Sequence, residues 1–189
     1  MSLQPESRLT PQEYLIWERR QETRHEYFEG EVYAMTGASR EHNLLTLNLA
    51  ASLHAQLRGG PCEVYTNDMR VKVGETGIYT YPDVAVACER SEFEDEEVDT
   101  LLNPVAIIEV LSTSTEQHDR GAKFMHYRTL PSLQDCLLVA QTECRVEHFV
   151  RQPANRWLLT EYRGLDETID LAGLGCRLLL RDVYERLAF

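Results

Sequence analysis

The chain has 189 residues, 43% hydrophobic and 26% charged, with a formal net charge of −12. These values describe a globular chain long enough for one domain with a sizeable core. The acidity excludes nucleic-acid binding spread over the whole surface, because phosphates must be neutralised by cations; any phosphate contact has to be local or helped by a metal.

No apolar run reaches the roughly 18 residues that a membrane-spanning helix needs. The opening MSLQPESRLTPQEYL lacks the basic and apolar regions of a signal peptide, so a cytoplasmic protein without membrane contact is expected. In chain order, Thr10-Pro11-Gln12-Glu13 has the form of a capping box with proline at the first helical position, opening a helix to about Glu22. Residues 24–36 read as a hairpin around Glu29-Gly30. Leucines and alanines near helical spacing predict a helix from Glu41 to Arg58, stopped by Gly59-Gly60-Pro61.

Strands are expected at about 62–66, 69–73 and 79–88. ERSEFEDEEVD (89–99) reads as a solvated acidic loop. A strand over 105–111 follows, then the polar connection STSTEQHD and a helix, RGAKFMHYRTL, ended by Pro131. Further strands are predicted at 135–140, 145–150 and 157–162, then a strand near Cys176–Leu180 and a short helix, Arg181–Leu187. This order predicts an α/β (α+β) fold: a mixed sheet flanked by helices, with an N-terminal helix and hairpin and extra C-terminal strands. Five cysteines without CxxC spacing argue against a disulfide framework and for small core residues.

Two carboxylates stand out. Asp83 opens the apolar stretch VAVAC, and Glu109 lies inside PVAIIEVLS, where apolar flanks on both sides suggest a strand buried on both faces. A buried carboxylate is costly unless it is paired or binds a metal. The acidic loop can reverse the chain and set the two strands side by side. The polar connection then lets the helix carrying Lys123 fold back over the sheet. Two carboxylates suit Mg²⁺ or Mn²⁺, which prefer oxygen ligands. Such an ion can acidify a water and polarise a phosphoryl oxygen, and a nearby lysine can orient the nucleophile or stabilise developing charge. The plainer readings are a Pro-Asp turn at Asp83, a solvent-facing Glu109 and a surface ion pair between Lys123 and Asp119.

The segments YPDVAV and IIEVLSTSTEQHDRGAKFMHY, with EYFEGEVYAMTGASREHN, NDMRVKV and YRTLPSLQDCLLV, resemble the PD-(D/E)XK nuclease superfamily and, more narrowly, its Uma-type family of bacterial restriction endonucleases. The resemblance covers nearly the whole chain. It implies a single restriction-endonuclease-like domain over 1–189 with a catalytic core of about 41–140. It also implies Asp83 and Glu109 as ligands of Mg²⁺ or Mn²⁺, with the Val110 carbonyl as a further ligand. The superfamily pattern puts lysine two residues after Glu109, where this chain has Leu111; the lysine is moved onto the following helix as Lys123.

Accessory candidates are His42, at the start of the long helix, and Glu31 and Glu26 in the hairpin. Asp119 is a first-turn carboxylate or a holder of Lys123. The histidines lack zinc-site spacing, His118 and His126 are expected at the surface, and Trp17 and Trp157 in the core or an interface. The implied activity is metal-dependent hydrolysis of DNA by a homodimer. It would need a locally basic face from Arg40, Arg70, Lys72, Arg120, Lys123 and Arg128. The alternatives are a non-catalytic or regulatory binding module on the same fold, or hydrolysis of a small phosphodiester.

Overall fold

The computed structural model describes residues 8–74, 77–112 and 123–189. Helix α1 (Pro11–Glu18) opens on the expected capping box: Thr10 Oγ1 accepts from the Glu13 amide at 3.3 Å and Glu13 Oε2 accepts from the Thr10 amide at 2.8 Å. It stops short of Glu22 because Glu18 turns inward, accepting the His25 amide at 2.9 Å. The strands β1 (His25–Phe28) and β2 (Glu31–Ala34) form the expected hairpin. Glu29 and Gly30 both have positive φ, 48° and 97°, as in the tight turns whose twist matches paired strands. Helix α2 (Arg40–Leu57), capped by Ser39, buries Leu45, Leu49, Leu53 and Leu57 as one stripe.

The remaining strands are β3 (Cys62–Thr66), β4 (Arg70–Val73), β5 (Ile78–Thr80), β6 (Val84–Cys88), β7 (Thr100–Leu101), β8 (Ala106–Leu111), β9 (Asp135–Ala140), β10 (Val146–Gln152), β11 (Arg156–Tyr162), β12 (Thr168–Leu171) and β13 (Cys176–Leu179). Two short α-helices, α3 (Phe124–Tyr127) and α4 (Leu180–Val183), and a 3-10 turn at Pro153–Asn155 complete the described elements. One sheet runs β2-β1-β5-β4-β7 and a second β11-β10-β9-β8-β6-β3; β12 and β13 pair separately. The contacts β4/β7 and β8/β9 are parallel. The architecture is the mixed α+β type expected, but with two large sheets.

The single strand read over 79–88 is corrected. It breaks at Tyr81-Pro82-Asp83 into β5 in the first sheet and β6 in the second. Pro82 has no N–H to give a ladder, so pairing stops there and the chain crosses between sheets.

Alternation along β6 and β8 separates two cores. Val84, Val86, Ile108 and Val110 pack toward α2, β13 and α4. Ala85, Ala87, Ile107 and Leu111 pack toward Val71, Val73 and Ile78 of the other sheet. Tyr14, Leu15, Tyr27, Val32 and Tyr79 form a third cluster under α1. Glu109 shares the parity of Ile107 and Leu111, so its side chain belongs to the layer between the sheets.

One further expectation is revised and one is extended. Cys62 and Cys88 sit directly opposite each other in the β3/β6 ladder and form a disulfide. Counting and spacing along the chain do not reveal such a cross-ladder opposition. Cys136 and Cys176 are buried free thiols, as expected. The acidic segment, in turn, is tied down by cations. Arg19 pairs with Asp95 and Asp99, each at 2.8 Å, Arg70 with Asp99 at 2.9 Å, and Lys72 with Glu94 at 2.6 Å. Hydrogen bonding from Arg19, with the charge of Arg70, holds the Asp99 carboxyl well below the usual carboxylate range.

Candidate functional site

Asp83 stands at the crossing between the sheets. The β6/β8 register pairs Val84 with Ile108, and one further step sets Asp83 opposite Glu109. Both are buried. Asp83 Oδ2 accepts the Val110 amide at 2.7 Å, and Oδ1 lies 2.7 Å from His42 Nε2 and 3.3 Å from Asn67 Nδ2. The first turn of α2, opened by Ser39, thus delivers His42 to the carboxylate.

Glu109 Oε1 meets two groups from one turn of helix. The Lys123 ammonium is 3.3 Å away, and the Tyr127 hydroxyl donates to it at 2.6 Å. Lys123 lies nearer to Glu26 Oε1, at 2.8 Å, and the Tyr81 amide also donates to that oxygen, at 3.3 Å. The Lys123 side chain is 9% exposed, those of Glu26 and Glu109 11% and 4%. Burial, then the charge of Glu109, drives the Tyr127 phenol far above its ordinary range, so it remains a proton donor.

The structure therefore brings Asp83, Glu109, Lys123 and His42 to one junction. Val110 enters through its amide, which holds Asp83. Glu31 is not there. It lies on the outer strand beside the turn, half-exposed, 3.8 Å from Arg8 and hydrogen-bonded by the Tyr33 hydroxyl. Glu26, on the inner strand of the hairpin, takes the inward place instead. Asp119, His118 and Arg120 lie outside the described residues. His126 is half-buried beside Phe28 rather than at the surface.

Tyr127 went unnoticed in the sequence, although four residues after Lys123 it falls on the same helical face. The basic face is also smaller than expected. Arg70 is 3% exposed and, like Lys72, spent on the acidic segment, whereas Arg40 and Arg128 are exposed.

As a donor set, two buried carboxylates on adjacent strands fit a hard divalent ion, which takes oxygen ligands and retains waters. Among the described residues, no group of three or more His, Cys, Asp or Glu is placed to hold an ion. The fit therefore rests on two carboxylates with main-chain oxygen and water. A different buried pair lies on the other face of the second sheet: Asp135 Oδ1 and His148 Nε2, 2.7 Å apart. No helix among the described residues is long and apolar enough to cross a membrane.

Residues 11–181 match the Uma2 family model, described as "Putative restriction endonuclease". The uncharacterized protein slr1290 of Synechocystis sp. (strain ATCC 27184 / PCC 6803 / Kazusa) is 37% identical over 185 residues, covering 98% of this chain and 96% of its own. A second uncharacterized protein of that strain, sll1609, is 40% identical over 164 residues, covering 87% and 93%. The crystal structure of a "putative nuclease belonging to DUF820" from Anabaena variabilis ATCC 29413 superposes with a TM-score of 0.78 at 17% identity. It covers 93% of this chain and 97% of that one. At that identity, the likeness shows a shared nuclease-like fold.

Proposed function

The chain belongs to the Uma2 family of restriction-endonuclease-like proteins, and from that premise we propose that it is a divalent-metal-dependent nuclease hydrolysing DNA phosphodiester bonds, acting as one domain and as a homodimer. One observation carries the reading. Among the described residues, three buried carboxylates, Glu26, Asp83 and Glu109, gather with the Lys123 ammonium and the His42 imidazole where the chain passes between two sheets. Carboxylates gathered in a buried site favour a cation beside them.

Asp83, Glu109 and the Val110 carbonyl would hold Mg²⁺ or Mn²⁺. When bound, the ion supplies a more acidic water and polarisation of a phosphoryl oxygen. The rest falls to the chain. His42 and the Val110 amide fix the Asp83 carboxylate. Lys123, steadied by Glu26, offers its ammonium to the attacking water or to charge growing on the phosphoryl oxygens. Two copies would reach both strands of a duplex.

Binding without catalysis is the second reading. It is favoured by the neutralised Arg70 and Lys72, which leave less cationic surface for a duplex. Calorimetry with Mn²⁺ on the wild type, Asp83→Ala and Glu109→Ala, followed by nuclease assays across DNA forms, separates the two. Uptake abolished in both variants together with DNA cleavage supports the nuclease. A wild type that takes up no Mn²⁺ and cleaves no DNA form supports the binding module.

A further inference from the structure

Tyr127 is fully buried, and its hydroxyl touches two strands at once. It donates to Glu109 Oε1 on β8 at 2.6 Å and lies 3.0 Å from Thr80 Oγ1 at the end of β5. A phenol has one proton. With that proton given to the carboxylate, the phenolic oxygen is left to accept from Thr80. Thr80 is three residues before Asp83, on the segment that crosses between the sheets. Tyr127 is also one helical turn from Lys123, which meets the same Glu109 oxygen. One hydroxyl thus ties together the strand leading to Asp83, the strand of Glu109 and the helix end of Lys123.

We propose that Tyr127 is a positioning residue, setting the spacing between the Asp83 and Glu109 carboxylates and Lys123 rather than touching substrate. The inference rests on the metal-dependent reading above. Other donors to that carboxylate would only orient it. Tyr127 couples it to Thr80 of the other sheet as well, and its ring belongs to the buried cluster between the sheets that also holds Ala85, Ile107 and Leu138.

Tyr127→Phe keeps the ring and removes the hydroxyl. Thr80→Val keeps the shape of Thr80 and removes its proton. Losing a partner of a metal ligand lowers affinity or activity by about 10–100-fold. The expected result is Mn²⁺ affinity weakened about tenfold in Tyr127→Phe by calorimetry. kcat should fall at unchanged KM for DNA, and Thr80→Val should move both quantities the same way by less.

Variants whose melting temperature falls while Mn²⁺ affinity and kcat stay at wild-type values would overturn the inference and leave Tyr127 a packing residue. Should Tyr127→Phe not fold, wild-type affinity and kcat in Thr80→Val would overturn it equally. A wild type that takes up no Mn²⁺ and cleaves no DNA form removes the nuclease reading, and the inference with it. Uptake by the wild type with equal affinity in both variants defeats the inference alone.

Discussion

The two faces of the second sheet each bury charge, and they do so differently. On the face toward α2 and the C-terminal hairpin, Asp135 and His148 form a closed pair from adjacent strands, one carboxylate to one imidazole. On the face toward the first sheet, Glu109 is reached from α3 by Lys123 and Tyr127, with Glu26 brought in from the other sheet and Asp83 beside it. The first arrangement is complete and holds two neighbouring strands together. The second gathers groups from separate elements: among the described residues, three carboxylates meet one ammonium and one imidazole, that of His42. Buried charge alone does not nominate a site; its stoichiometry and the number of elements converging on it do.

The largest test of that contrast is Lys123→Met. It leaves Glu26 and Glu109 facing each other without their ammonium, and breaking a buried pair costs about 3–5 kcal/mol. Urea denaturation should show a loss of that size, and added Mn²⁺ should restore part of it, since an ion bound only by the folded chain stabilises it. A loss that Mn²⁺ leaves unchanged would make the cluster structural, like the dyad.

Asp135→Asn is the counterpart. It weakens a charged hydrogen bond and should cost about 1–3 kcal/mol. Its Mn²⁺ isotherm should match the wild type; an altered isotherm would mean that the two faces are coupled.

The smallest effect belongs to the surface. Asp99 is held below its ordinary range chiefly by Arg19. A carboxyl depressed in the fold adds stability above its unfolded pKa, about 3.9. That contribution is lost as pH falls below it toward the folded value. Melting temperature should therefore drop as pH is lowered below about 4, and Arg19→Ala should flatten that limb. At pH 7 the same variant should cost under about 1 kcal/mol, because these partners are partly solvated. An unchanged limb would mean that other carboxyls dominate acid unfolding.

The candidate carboxylates were legible because burial makes an unpaired charge expensive. Glu109 among isoleucines and Asp83 before VAVAC announce themselves by composition. Their side-by-side placing followed from chain reversal, which the β6/β8 pairing bears out, and Lys123 followed from a helix folding back over the sheet. The crossing at Pro82 was not legible: one apolar stretch reads alike whether it serves one sheet or two. Nor was the choice between Glu26 and Glu31, which share a face of the hairpin, because which of its two strands joins the sheet interior is not written in the hairpin itself. The Cys62–Cys88 bond and the Asp135–His148 pair depend on cross-ladder register, which single-chain periodicity does not encode.

The Val110 amide donates to a carboxylate, Asp83 Oδ2, and not to a ladder carbonyl. A carbonyl is fixed by the backbone, whereas a side chain can turn toward a new charge. The deuterium uptake of this one amide therefore records where Asp83 points. It should quicken whenever that carboxylate is drawn elsewhere, while neighbouring amides of β8 keep their pace. The candidate centre thus has its own indicator, readable by native-state hydrogen exchange without any substrate in hand.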